Sequence, residues 1–149
     1  MNTLQCSEQI GIFQGHTFPI TSIVFSPDGE TLISGGDDTI RLWNVTSGKI
    51  IRTLKGHIPN WSESAVTSVA ISPNGKFIAS GGTDNTVRIW HFREFLESNR
   101  GKTRLLTGHS QKSWLITGVR AVAFSADGKI LATGGSDKVV KLWNTKTWQ

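Results

Sequence analysis

Cysteine is nearly missing from this chain: Cys6 is the only one in 149 residues. An intrachain disulfide and a multi-cysteine metal site are therefore excluded. Long apolar runs are also missing, and no stretch approaches the roughly 20 residues needed for a membrane-spanning helix. The opening MNTLQCSEQIGIF has neither a basic start nor an apolar core, so it does not read as a secretory signal. A soluble, cytoplasmic protein without a membrane partner is the expectation. Three catalytic signatures are absent as well: a GxxxxGK[ST] phosphate loop, HExxH and GxSxG. Hydrophobic residues make up 37% and charged residues 18%, modest values that suit a turn-rich β protein. Sixteen glycines point the same way.

What the chain has is repetition. Gly15-His16, Gly56-His57 and Gly108-His109 each begin a unit. Each unit continues through a tetrapeptide, SPDG at 26–29, SPNG at 72–75 or SADG at 125–128. It closes on Trp43-Asn44, Trp90-His91 or Trp143-Asn144. Within each unit the pattern reads as strands. ITSIVFS (20–26), AVTSVAIS (65–72) and GVRAVAFS (118–125) run into the tetrapeptide, where Asp or Asn followed by Gly marks a tight turn. TLISGG, KFIASGG and KILATGG follow as second strands, and TIRLW, TVRIW and VVKLW as third strands with one buried face. KIIRTLKG (49–56) and TRLLTG (103–108) read as fourth strands, and IGIFQG (10–15) resembles another copy of them.

Four strands per unit, a Gly-His start and a Trp-Asx end resemble the WD-repeat family of β-propellers across residues 10–144. The resemblance implies an all-β fold of three four-stranded antiparallel blades, approximately 15–55, 56–107 and 108–149, with residues 10–14 as a spare fourth strand. It further implies a buried Trp–Ser/Thr–His–Asp network in each blade. Carried over, this falls on Trp90, Ser80, His57 and Asp84, and on Trp143, Thr133, His109 and Asp137. The first unit offers Trp43, Ser34 and His16, but its aspartate is ambiguous. Asp38 keeps the spacing from the serine and is assigned to the network, whereas Asp37 keeps the spacing to the tryptophan.

Out of context, His, Ser and Asp suggest a hydrolytic triad. Three copies argue against that, since catalysis needs one constellation. The hydrogen-bonding inventory suits a structural relay, and no catalytic residue, metal or cofactor is expected.

The repeats differ after Gly-His, where 58–64 and 110–117 are insertions carrying Trp61 and Trp114. The family resemblance places both tryptophans on the usual binding face, together with Phe18, Thr83, Arg120 and Ser136. Exposed tryptophans anchor interfaces well. The segment HFREFLESNRGK (91–102) is charged and long for a blade turn, and is expected as a solvated loop rather than a single helical turn.

Charge is unevenly spread. Residues 1–50 hold two basic and five acidic side chains (−3), and residues 101–149 hold eight and two (+6). Three blades fall short of the four to eight of a closed ring. Either chains associate head to tail, with the spare strand of one completing the last blade of the next, or the chain is part of a longer propeller, for example the sensor portion of a signalling protein. The function expected is a non-catalytic platform for binding proteins or peptides. Nucleic-acid binding through the basic C-terminal third is the lesser alternative.

Overall fold

The structure, a computed structural model, describes residues 9–58, 65–98, 100–110 and 118–149. The first sheet orders β1 (Ile20–Phe25), β2 (Thr31–Gly36), β3 (Thr39–Asn44) and β4 (Ile50–Lys55) side by side. The second repeats this with β5 (Val66–Ile71), β6 (Phe77–Gly82) and β7 (Val87–His91). Helix α1 (Phe92–Glu97) then precedes its outer strand, β8 (Thr103–Leu106). The third contains β9 (Val119–Phe124), β10 (Ile130–Gly135) and β11 (Val140–Asn144). All pairings are antiparallel. β5 packs beside β1 and β9 beside β5, so the sheets fan out from their first strands.

Local chemistry explains each hairpin. In the first tetrapeptide, Gly29 N–H donates to the Ser26 carbonyl (2.8 Å) with Gly29 at φ +75°. The buried Ser26 hydroxyl donates to Asp28 (2.5 Å), and accepts from Thr31 N–H (2.9 Å) to pin the next strand. The same bonds recur at Ser72 and Ser125.

Two cores lie between sheets rather than within them. Ile33, Ile40 and Leu42 of the first sheet meet Val66, Val69 and Ile78 of the second. Ala79, Val87 and Ile89 on the second sheet's other face meet Val119, Val122 and Leu131 of the third. The Gly-Gly pairs ending the second strands serve this packing. A Cβ on Gly35 would fall 2.7 Å from Val66, and one on Gly81 2.8 Å from Val119.

Among the described residues the third sheet has three strands, in keeping with the lack of a fourth-strand segment after Trp143. Two expectations change. Residues 10–15 form no strand. The segment 91–102 is not a solvated loop: it contains α1, whose Phe92 and Phe95 are buried in the first core, and Arg52 of β4 donates to the Leu96 carbonyl (3.4 Å). Its charged residues outnumber its apolar ones, yet Phe92, Phe95 and Leu96 at i, i+3 and i+4 lie on one helical face, and that face packs against the neighbouring sheet.

Candidate functional site

The end of each sheet that carries the turn between second and third strands gathers the repeated polar residues. In the second sheet, Trp90 Nε1–H donates to Ser80 Oγ (2.9 Å), the Ser80 hydroxyl donates to His57 Nε2 (2.8 Å), and His57 Nδ1–H faces Asp84 (3.1 Å). Assigning the ring proton to Nδ1 gives every donor in this chain an acceptor. The third sheet repeats it through Trp143, Thr133, His109 and Asp137 at 2.9, 2.9 and 3.0 Å. In the first, Trp43 donates to Ser34 (2.8 Å) and Ser34 bonds His16 Nε2 (2.7 Å).

The aspartate completing the first network is Asp37, not Asp38. Asp37 is buried with Oδ1 3.2 Å from His16 Nδ1, although without hydrogen-bond geometry, while Asp38 is exposed. The turn explains the difference. In the second blade Gly82 N–H donates to the Thr86 carbonyl (3.1 Å), which encloses three residues, Thr83–Asn85, with Asn85 at φ +63°. Gly36 pairs directly with Thr39, which leaves two residues and puts Asp37 itself at φ +36°. The deleted residue lies between Gly36 and the aspartate, so spacing to the tryptophan is conserved across the hairpin and spacing to the serine is not.

Each aspartate also ties down two further segments. Asp84 accepts from Thr86 N–H (3.1 Å), the Thr86 hydroxyl (2.7 Å) and Ile58 N–H (3.2 Å). Asp37 does the same with Thr39 and Thr17, and Asp137 with Val139 N–H and Ser110 N–H. Thr39 and Thr86 sit two residues after their aspartates, a repeated signal that motif matching on Trp, Ser, His and Asp alone passes over. Burial opposes ionisation of Asp84, but the His57 ring and the Thr86 hydroxyl outweigh it and hold the carboxyl at about 2. At Asp37 burial is likewise overcome, by Thr39, Thr17 and His16, again to about 2. Asp137 is lowered too, with His109, Ser110 and Val139 prevailing over burial. A Cβ on Gly82 would overlap the His57 ring, so the second glycine of that pair is what admits the network.

Three repeats with one hydrogen-bond plan, on antiparallel sheets of four, four and three strands fanning from their first strands, decide the family. This chain belongs to the WD-repeat family. The family described as "WD domain, G-beta repeat" matches residues 7–44, 48–91 and 101–144. The chain is 33% identical to pre-mRNA-processing factor 19 of Bos taurus over 142 residues, covering 94% of this chain and 25% of that protein. It is 34% identical to a guanine nucleotide-binding protein subunit beta of Zea mays, covering 91% and 34%. A solved structure of RRP9 WD40 repeats superposes with a TM-score of 0.76 at 28% identity, covering 92% of this chain and 38% of that one. The WD-repeat chain thus spans about a quarter to a third of these curated relatives.

The residues expected on the binding face separate. Phe18 and Arg120 are exposed. Ser136 is half-buried, with its hydroxyl donated to the Gly118 carbonyl (2.8 Å). Thr83 is a correction: it is buried rather than exposed, its N–H donates to the Ala65 carbonyl (2.8 Å), and Gly118 packs against its Cα. Trp61 and Trp114 lie outside the described residues. Among the described residues no His, Cys, Asp and Glu gather as a metal site, and no helix is long and apolar enough to cross a membrane.

Proposed function

We propose that this WD-repeat chain is a cytoplasmic, non-catalytic scaffold for protein–protein contacts, and that one of its partners is another copy of itself. The observation that carries the second part is a difference in burial between equivalent residues. Val66 and Val119 are 0% exposed, whereas Ile20, their counterpart in the first blade, is 51% exposed. Ile23 is 61% exposed, against 6% for Val69 and 7% for Val122. On the opposite flank, Val140 and Leu142 are 72% and 65% exposed, where Ile40, Leu42, Val87 and Ile89 are all 0%. Two apolar flanks of the kind that pair twice within the chain are thus uncovered, which is the mark of an interaction surface. The acidic first third and basic last third would meet in a head-to-tail contact. The end of the blades carrying Phe18 and Arg120 is proposed for other proteins or peptides.

The repetition of one buried network supports a structural role for the His–Ser–Asp residues. Nucleic-acid binding through the basic last third is the lesser reading, with Lys129 and Lys138 flanking opposite ends of β10. Light scattering after size exclusion tests self-association. A mass near twice 16.3 kDa at micromolar concentration supports it. A folded monomer across that range refutes it.

A further inference from the structure

The connection between third and fourth strands differs between the first two blades. Residues 45–49 make it in the first, and residues 92–102, with α1, in the second. The longer connection builds a wall that the first blade lacks. α1 contacts β4, the outer strand of the neighbouring blade, and Phe95 sits against Trp90 with ring centroids 5.8 Å apart. Between β4 and the second blade lies a cavity of about 620 Å³. All six residues of β4 line one side, and Trp90, Phe95, Gly101 and Thr103 line the other. Side chains alternate between the two faces of a strand. A cavity touching six consecutive residues therefore meets the edge of β4 rather than either face. Among the described residues β4 pairs only with β3, so this edge has no ladder partner.

The edge is also basic. Arg52 and Leu54 stand opposite Leu42 and Ile40, and share with them the face turned to the second blade. The Arg52 guanidinium donates to the Ile51 and Leu96 carbonyls (2.8 and 3.4 Å). Its Nε is buried with no hydrogen-bond partner among the described residues. Neither Arg52 nor Lys55, at the end of the strand, has a carboxylate in ion-pair range among the described residues. A half-buried guanidinium with a spare N–H favours an anion beside it. We propose that this groove binds an extended acidic segment of a partner protein, which adds to the free edge of β4 as a fifth strand of the first blade. This rests on the scaffold reading and gives it a further surface, since neither Phe18 nor Arg120 lines the cavity.

The geometry sets what the segment must carry. Backbone hydrogen bonds to an open edge accept any extended chain, and side chains at every second position supply the selectivity. On the side turned to the second blade, an acidic residue beside Arg52 meets the guanidinium. A residue two positions away lies beside Leu54 and covers Trp90 and Phe95, so an apolar one fits. The signature is an acidic and an apolar residue at i and i+2. Six residues of β4 span about 20 Å, which matches a bound segment of the same length. Lys55 adds a second positive charge near one end of it.

Fluorescence anisotropy of the full chain with the labelled peptide TETLTE tests this, with TKTLTK as the charge-reversed control. The acidic peptide is expected to bind about ten-fold more tightly. Equal binding of the two overturns the proposal. Arg52→Glu is expected to invert the preference. Lys55→Glu, at an exposed side chain, is expected to keep the β circular dichroism spectrum and weaken the acidic peptide about three-fold. An unchanged preference in folded Arg52→Glu, or in Lys55→Glu should Arg52→Glu not fold, overturns the groove. Peptides N-methylated on the three threonines, or on the three other residues, test the ladder. Only one set of amides can face β4, so one peptide is expected to lose binding and the other to keep it. Equal effects overturn strand addition. Arg120→Glu is expected to leave the affinity unchanged, and a loss there puts the peptide on the other surface and overturns the groove alone. No binding up to millimolar concentration with a doubled solution mass also overturns the groove alone. No binding by a folded monomer overturns the groove and the scaffold reading together.

Discussion

The Thr21 hydroxyl shares its one proton between the Val66 carbonyl across a sheet boundary (2.8 Å) and the Gly35 carbonyl within its own sheet (3.0 Å). Thr21 stands at the β-bulge between Ile20 and Ser22, where the register slips and the backbone twists the side chain toward the neighbour. Thr67 occupies the matching bulge and makes the matching pair of bonds to Gly81 and Val119. Replacing either by valine keeps the shape and removes the donor. Thr21→Val and Thr67→Val are each expected to cost about 1–3 kcal/mol, the penalty for carbonyls left short of a partner. Urea denaturation checks this. Arg120→Val at the third bulge is expected to change stability by less than about 0.5 kcal/mol, as for an exposed surface residue.

The two adjacent aspartates of the first blade offer a second contrast. Asp37→Asn retains size but loses the charge that accepts from Thr39, Thr17 and the His16 side. Asp38→Asn alters an exposed residue. The first substitution is expected to lower stability by about 1–3 kcal/mol, and the second by less than about 0.5 kcal/mol. Thermal unfolding of both variants decides it, and equal effects would mean that Asp37 does not close the network.

This pair also shows how far the sequence could be read. Gly-His, SPDG and Trp-Asx spacing made the repeat and its strands legible because each is tied to a backbone requirement, a turn or a ladder. Choosing between Asp37 and Asp38 needed a different fact, namely that the Gly36–Thr39 pairing shortens the turn to two residues. Either spacing is consistent with the sequence, and only the register of β2 against β3 separates them. Thr83 read as a contact residue because the family resemblance places it on the binding face. Its burial comes from Gly118, a residue 35 positions away whose approach no local pattern announces. Helix α1 ranked below a solvated loop for a related reason. Six residues give too little periodicity to stand out, and what orders them is the adjacent blade.

The buried aspartates set a pH dependence. The carboxyls of Asp37 and Asp84 are held at about 2, below the ordinary value of 3.8. Between these values the unfolded chain binds more protons than the folded one, so stability rises with pH there. The contribution is complete above about pH 4–5 and is lost progressively as pH falls toward 2. Urea midpoints measured from pH 6 to pH 2 are expected to fall in that window. Asp84→Asn should flatten the fall, because one of the groups driving it is gone. A variant with an unchanged slope would show that Asp84 is not among them.

The last prediction concerns the insertion that carries α1. Phe95 is buried against Trp90, with ring centroids 5.8 Å apart and planes at 67°. Gly101 lies so close that an added Cβ would overlap the Phe95 ring. The insertion therefore acts as a wedge: blade two sends out α1, which reaches back to β4 of blade one through the Arg52–Leu96 bond, and Gly101 lets the chain pass behind the ring. Phe95→Ala opens a cavity at this seam and is expected to cost about 3–5 kcal/mol. Gly101→Ala overpacks it and is expected to cost about 1–3 kcal/mol. Combining the two should cost less than their sum, because removing the ring makes room for the new methyl group. A double-mutant cycle by urea denaturation reads that coupling directly, and strictly additive costs would show that Gly101 and Phe95 do not share the seam.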